Sequence, residues 1–181
     1  MSDPVSFWHQ EHVSFSKLLD LLEREIAAFH DSGSPNYTLM LDIVTYLTHF
    51  PERHHHPRED IAFERMAAHD PSLSAQVRRL QQEHRVISAA GTTLHGMLAA
   101  VLDGAMIERS LLEAAADTYL TYYRHHLATE EARILPRAAE LLTAADWAAV
   151  TAAHAQTPDP LFGADPDERY RELRRMIALE A

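Results

Sequence analysis

The sequence predicts an all-α fold, an up-down-up-down four-helix bundle with a short C-terminal helical extension. Three observations carry this reading. Glycine is scarce, at five in 181 residues, while alanine and leucine are abundant and β-branched residues few, a composition that favours helix over strand. Apolar residues recur in a three-four alternation over long stretches. Turn signals then divide the chain into four long segments joined by short connections, the pattern of an antiparallel bundle.

The first helix is expected to begin at Pro4, a good first-turn residue, with Ser2 or Asp3 as cap, and to end near His30 before Asp31-Ser32-Gly33-Ser34. Ser34-Pro35 starts the second, which runs to about His69 although Pro51 and Pro57 each remove a backbone donor and should kink it or widen a turn. Asp70-Pro71 opens the third, which Asp103-Gly104 stops after Leu102, and the fourth covers Met106 to Leu142. In the tail, Thr143-Ala144-Ala145-Asp146-Trp147 starts a short helix, Pro158 and Pro160 break it, and Asp165-Pro166 starts a last amphipathic helix ending near Leu179. Residues 1–142 are thus expected to form the bundle and residues 143–181 an extension packed on it, with a homodimer contact as the tail's alternative use.

Composition bounds the function. The chain has no cysteine, so disulfides and thiolate metal sites are excluded and any metal must be held by histidine and carboxylate. A net charge of −11 disfavours nucleic acid and anionic lipid, which attract basic surfaces. The N-terminus MSDPVSFWHQEH lacks a basic region followed by an apolar core, and no uninterrupted apolar run approaches the roughly 18 residues of a membrane span. A soluble, cytoplasmic protein is expected. The outstanding figure is 13 histidines, several times the usual share for the commonest protein metal ligand.

Those histidines fall into register with the core. In the first helix Trp8, Phe15, Leu19, Leu22, Ile26 and Phe29 mark the buried stripe, and His12 occupies a vacant slot in it. In the third, His84 stands where Val77, Leu80, Ile87, Leu94, Leu98 and Val101 predict an apolar residue. In the fourth, Leu112, Ala116, Tyr119, Tyr123, Ile134 and Leu141 turn His126 and Glu130 inward and His125 about 100° away. In the second, Met40, Val44, Leu47, Phe63 and Met66 extrapolate to His55 and Glu59, with His54 and His56 pointing elsewhere unless Pro57 shifts the register by one.

Height along the bundle is an independent test. His12 lies about 18 residues before the first turn and His55 about 20 after it, and the later helices give similar counts for His84 and His126. At roughly 1.5 Å per residue the four imidazoles share one level. The same residues repeat: Gln10-Glu11-His12 returns as Gln82-Glu83-His84, and His55-x-x-x-Glu59 returns as His126-x-x-x-Glu130, each about 70 residues on. Two half-sites, each giving one His and one His-x-x-x-Glu, suit a pair of metals bridged by both carboxylates. Four buried histidines and two buried carboxylates without a metal would form an uncompensated polar cluster. Glu11, Glu83, Asp60 and Glu131 read as a solvated face, with contacts that support the ligands as the alternative, and His9, His30, His49, His69, His95 and His154 as solvated or helix-end residues.

The set of His12, His55-His56-Pro57-Arg58-Glu59-Asp60, Gln82-Glu83-His84 and His126-Leu127-Ala128-Thr129-Glu130-Glu131 resembles the hemerythrin-like superfamily, the HHE cation-binding domain, over about residues 5–142. The resemblance implies a four-helix bundle whose His12, His55, Glu59, His84, His126 and Glu130 hold two iron ions with an oxo or hydroxo bridge. Zinc or manganese can substitute in the same donors. It also implies binding or reaction with dioxygen, nitric oxide or peroxide. The oxygen carriers place a further histidine one turn after the third-helix ligand; here that residue is Ser88, so a fifth imidazole is expected to be missing and both metals to be more open. Two roles then fit: a sensor or binding protein for a diatomic ligand, or an enzyme handling iron oxidation, peroxide, nitric oxide or the repair of iron centres.

Overall fold

The structure, a computed structural model, describes residues 4–28 and 33–179. The expected cap at Ser2 or Asp3, the stripe position Phe29 and the helix end at His30-Asp31-Ser32 lie outside those residues. No strand occurs among the described residues.

Helix α1 spans Pro4–Ala27. The second rod is α2 (Tyr37–Phe50), one wide π turn (Pro51–His55) and α3 (His56–His69). Its start differs from the Ser34-Pro35 expectation because Asn36 is the cap, its side chain accepting from the Leu39 amide. A short 3-10 turn, Pro71–Leu73, leads into α4 (Ser74–Leu102), with the Asp70 carboxylate accepting from the Ser72 amide. Gly104 closes α4 at φ 88, a left-handed conformation glycine adopts without penalty. The fourth rod is α5 (Arg109–Thr129), a second π turn (Glu130–Ile134) and α6 (Leu135–Leu141). Each rod packs on the next and the fourth returns to α1, giving a bundle.

The π turns follow from proline. In the first, the His56 amide donates to the Pro51 carbonyl, and in the second the Leu135 amide donates to the Glu130 carbonyl, five residues back in each case. Pro57 and Pro136 each stand two residues beyond a π turn and have no N–H to resume the tighter ladder at once. The widening near Pro51 and Pro57 agrees with the sequence. Pro136, which marks the second, carries the same signal.

The apolar core comes in two blocks. One gathers Phe15, Leu19, Leu22, Tyr46, Leu47, Ile87, Leu94, Tyr119, Tyr123 and Leu127. The other gathers Trp8, Phe63, Met66, Val77, Leu80, Ile134 and Ala138. A polar layer separates them. Helix α4 with its 3-10 turn is long and apolar enough by composition to cross a membrane, yet Val77, Leu80, Ile87, Leu94 and Leu98 are buried in the bundle.

Beyond the bundle, α7 (Ala144–Ala153) begins with a reciprocal Thr143–Asp146 cap. It lays Trp147 edge-on against Trp8 at 5.2 Å, while Asp146 binds Arg65 at 3.1 Å and His69 at 2.9 Å. A loop and a 3-10 turn (Glu168–Tyr170) lead to α8 (Arg171–Leu179), and Leu161, Tyr170 and Leu173 join the first block of core.

Candidate metal centre

Helix α1 contributes His12 to the polar layer, the end of the first π turn His55, α3 Glu59, α4 His84, α5 His126, and the second π turn Glu130. All six are buried, and His55, Glu59, His126 and Glu130 are 0 % exposed. The structure brings the six sequence-predicted residues together. His12 Nε2 and His55 Nε2 face each other at 3.0 Å. Glu59 Oε1 lies 3.0 Å from His55 Nε2 and 3.3 Å from His12 Nε2, while Oε2 is 3.6 Å from His84 Nε2. Glu130 mirrors this: Oε2 lies 3.2 Å from His126 Nε2 and 3.5 Å from His12 Nε2, and Oε1 3.7 Å from His84 Nε2. Each carboxylate therefore faces imidazoles of both halves.

The outward nitrogens are held as well. Nδ1 of His12 donates to Glu131 at 2.7 Å, Nδ1 of His55 to Glu11 at 2.8 Å, Nδ1 of His84 to Asp60 at 2.9 Å, and Nδ1 of His126 to Glu83 at 3.3 Å. These four carboxylates are not the solvated face expected from the sequence. Each stands beside a predicted ligand in the chain and reaches across to an imidazole on another rod, which fixes the tautomer that leaves Nε2 free to face the centre. Arg58 in turn grips Glu11, its guanidinium 2.9 Å from each carboxylate oxygen.

A second correction concerns His56. Rather than pointing away, it is 3 % exposed, stacks on His84 with ring centroids 4.1 Å apart at 11°, and lies 5.7 Å from the His126 ring. One ligand atom from each of His56, Glu59, His84 and His126 falls within 4.8 Å of the others, and a second such group is His12, His55 and Glu59. Nδ1 of His56 lies 3.4 Å from Glu52 but makes no hydrogen bond among the described residues, so no carboxylate holds this ring as the other four are held. A fifth imidazole is therefore present, from the residue after His55 instead of position 88. Regular helix turns successive residues about 100° apart; the π turn ending at His55 is what lets two consecutive histidines enter the core. His54 stays partly exposed, and His125 is exposed with Arg79 at 3.4 Å.

Electrostatics agree with a cation at the centre. Burial works against a charged His12, but bonds to Glu131 and Glu59 outweigh it and raise its pKa to about 10. Burial likewise opposes charge on His84, yet Asp60 and Glu130 raise it to about 10. Burial pushes the Glu59 carboxyl up, and His55 and His12 together hold it well below the usual range. His56 is driven well below its ordinary value by burial and by the neighbouring His84 and His55. Both oxygens of Glu59 and Glu130, with Nε2 of His84 and of His126, are buried without a hydrogen-bond partner among the described residues. Each such atom costs about 1–3 kcal/mol if left so.

Donors at right angles around a first-row metal at about 2.1 Å stand about 3.0 Å apart, close to the shorter separations in this layer. An all-imidazole and carboxylate set suits iron, zinc or manganese. The residues fit metal ions, and each carboxylate, placed between two groups of imidazoles, fits a pair.

The family model for the hemerythrin HHE cation binding domain matches residues 3–138. Among curated proteins no match is found.

Proposed function

The chain belongs to the hemerythrin HHE cation binding domain family, and from that premise we propose that its polar layer holds two iron ions and binds dioxygen, nitric oxide or peroxide. The observation that carries the reading is the placement of Glu59 and Glu130, each within 3.7 Å of imidazoles of both halves, Glu59 of His55 and His84 and Glu130 of His12, His126 and His84. Bound there, an iron pair would supply two electrons of redox capacity and positions for a small molecule.

The protein's own part is to make the halves unequal. His56, His84 and His126 surround one centre, and only His12 and His55 face the other. The opening therefore falls on the His12–His55 side, where His12 and Leu127 line a surface groove. Five imidazoles, rather than the four expected from Ser88, leave fewer open positions and favour reversible binding or sensing over turnover. Anaerobic iron loading followed by visible spectra with oxygen, azide and nitric oxide tests this. The expected result is a new band with each added ligand at one equivalent per chain. Spectra unchanged by all three would refute a reactive centre.

A further inference from the structure

A cavity of about 550 Å³ lies between α1, the end of α2 and the loop 156–164, within the roughly 300–1,000 Å³ typical of small organic ligands. Phe7, Phe50 and Phe162 form its aromatic walls, and Gln10, Ser14, Gln156 and Thr157 supply neutral hydrogen-bonding groups. The charged side chains among the described lining residues are both acidic, Glu11 and Asp159. Their oxygens are occupied: Glu11 by Arg58 and His55, Asp159 by the Tyr46 hydroxyl at 2.7 Å and by the amides of Leu161 and Phe162. The loop is built rather than loose, with the Gly163 amide on the Asp159 carbonyl and the Asp167 amide on the Pro160 carbonyl. It lies beyond residues 3–138, which the family model matches.

Aromatic faces favour a flat ring system, and two carboxylates without a lining cation disfavour an anion. The cavity also ends on Glu11, which is buried and holds Nδ1 of His55 at 2.8 Å. We propose that this cavity binds an uncharged planar aromatic molecule with two or three fused rings, and that its occupancy is transmitted through Glu11 to His55. The second half rests on the metal reading above; the first does not.

The test uses lumiflavin, a neutral three-ring probe, and its phosphate-bearing counterpart FMN, titrated into the metal-free protein by fluorescence quenching. Saturable lumiflavin binding is expected, with FMN at least about 10-fold weaker. Ser14→Trp should fill the cavity and abolish binding with helix content and metal uptake unchanged, and Phe162→Ala should weaken it about 10-fold. No saturable binding, equal binding by FMN, or full binding by Ser14→Trp would overturn the site. For transmission, lumiflavin should shift the His55 ring resonances in NMR spectra of the cobalt(II)-loaded protein. Unmoved resonances with lumiflavin bound would overturn transmission alone. A protein that takes up no metal would refute the metal reading and with it transmission, while the metal-free titration still decides the cavity.

Discussion

The two halves of the polar layer are nearly copies. Glu11 holds His55 as Glu83 holds His126, and Asp60 holds His84 as Glu131 holds His12. The grooves outside them also correspond: one is lined by Glu52, His56, Asp60, His84 and Ser88, the other by His12, Val13, Ser16, Leu127 and Glu131. Beside the imidazoles they part where His56 with Glu52 in the first half stands against Leu127 with Tyr123 in the second. The difference traces to backbone: one π turn ends at His55, ahead of Glu59, while the other begins at Glu130, after His126. A repeated sequence thus builds a near-symmetric layer, and the placement of one extra residue per turn makes its two groups of potential ligands chemically unequal.

The largest expected effect removes what the halves share. Glu59→Ala should take metal content from about two ions per chain to about none, since both centres lose a donor and three neighbouring imidazoles lose their counter-charge; elemental analysis after desalting checks it. His56→Leu, by contrast, should erase the difference. One metal should bind about 10-fold weaker or more and the other unchanged, as read by competition with a chelator. Weakening of both would show that His56 does not belong to one half.

Smaller effects come from the outward carboxylates. Glu11→Gln and Glu83→Gln should each cost about 10–100-fold in affinity for one metal, with Glu11→Gln the greater because its bond to imidazole is 2.8 Å against 3.3 Å. A further effect, on folding rather than on metal affinity, is in pH. His12 and His84 are raised to about 10 in the folded metal-free protein from an ordinary value of about 6.5. Their contribution to stability is whole below about pH 6.5 and is lost as pH rises toward 10. Glu59, held low, contributes in the opposite sense, present above its ordinary value and lost in acid. Urea midpoints of the metal-free protein should therefore fall between about pH 6.5 and 9.5, and loading with metal should flatten that slope because the ion replaces the proton at Nε2.

Much of this was legible from periodicity, because a buried stripe of Val77, Leu80, Ile87 and Leu94 leaves one slot and His84 fills it. Level and repeat together bring His12, His55, Glu59, His126 and Glu130 to the same layer. What periodicity misses is what breaks it: counting 100° per residue through a π turn turns His56 outward, and Pro51 and Pro57 are the local signs that the count fails. Glu11, Asp60, Glu83 and Glu131 were misread for another reason. Being next to a ligand in the chain places a residue off the buried stripe, and only the packing of rods shows that off-stripe carboxylates meet the neighbouring rod's imidazoles. Their recurrence in both repeats, Glu11 with Glu83 and Asp60 with Glu131, was the available signal.

Mössbauer spectroscopy of the anaerobically loaded protein with iron-57 tests the account most directly. Two irons per chain giving two equal-area doublets of different quadrupole splitting are predicted, one for the centre with three imidazoles and one for the centre with two. A single iron per chain, or one doublet from two equivalent irons, would contradict it.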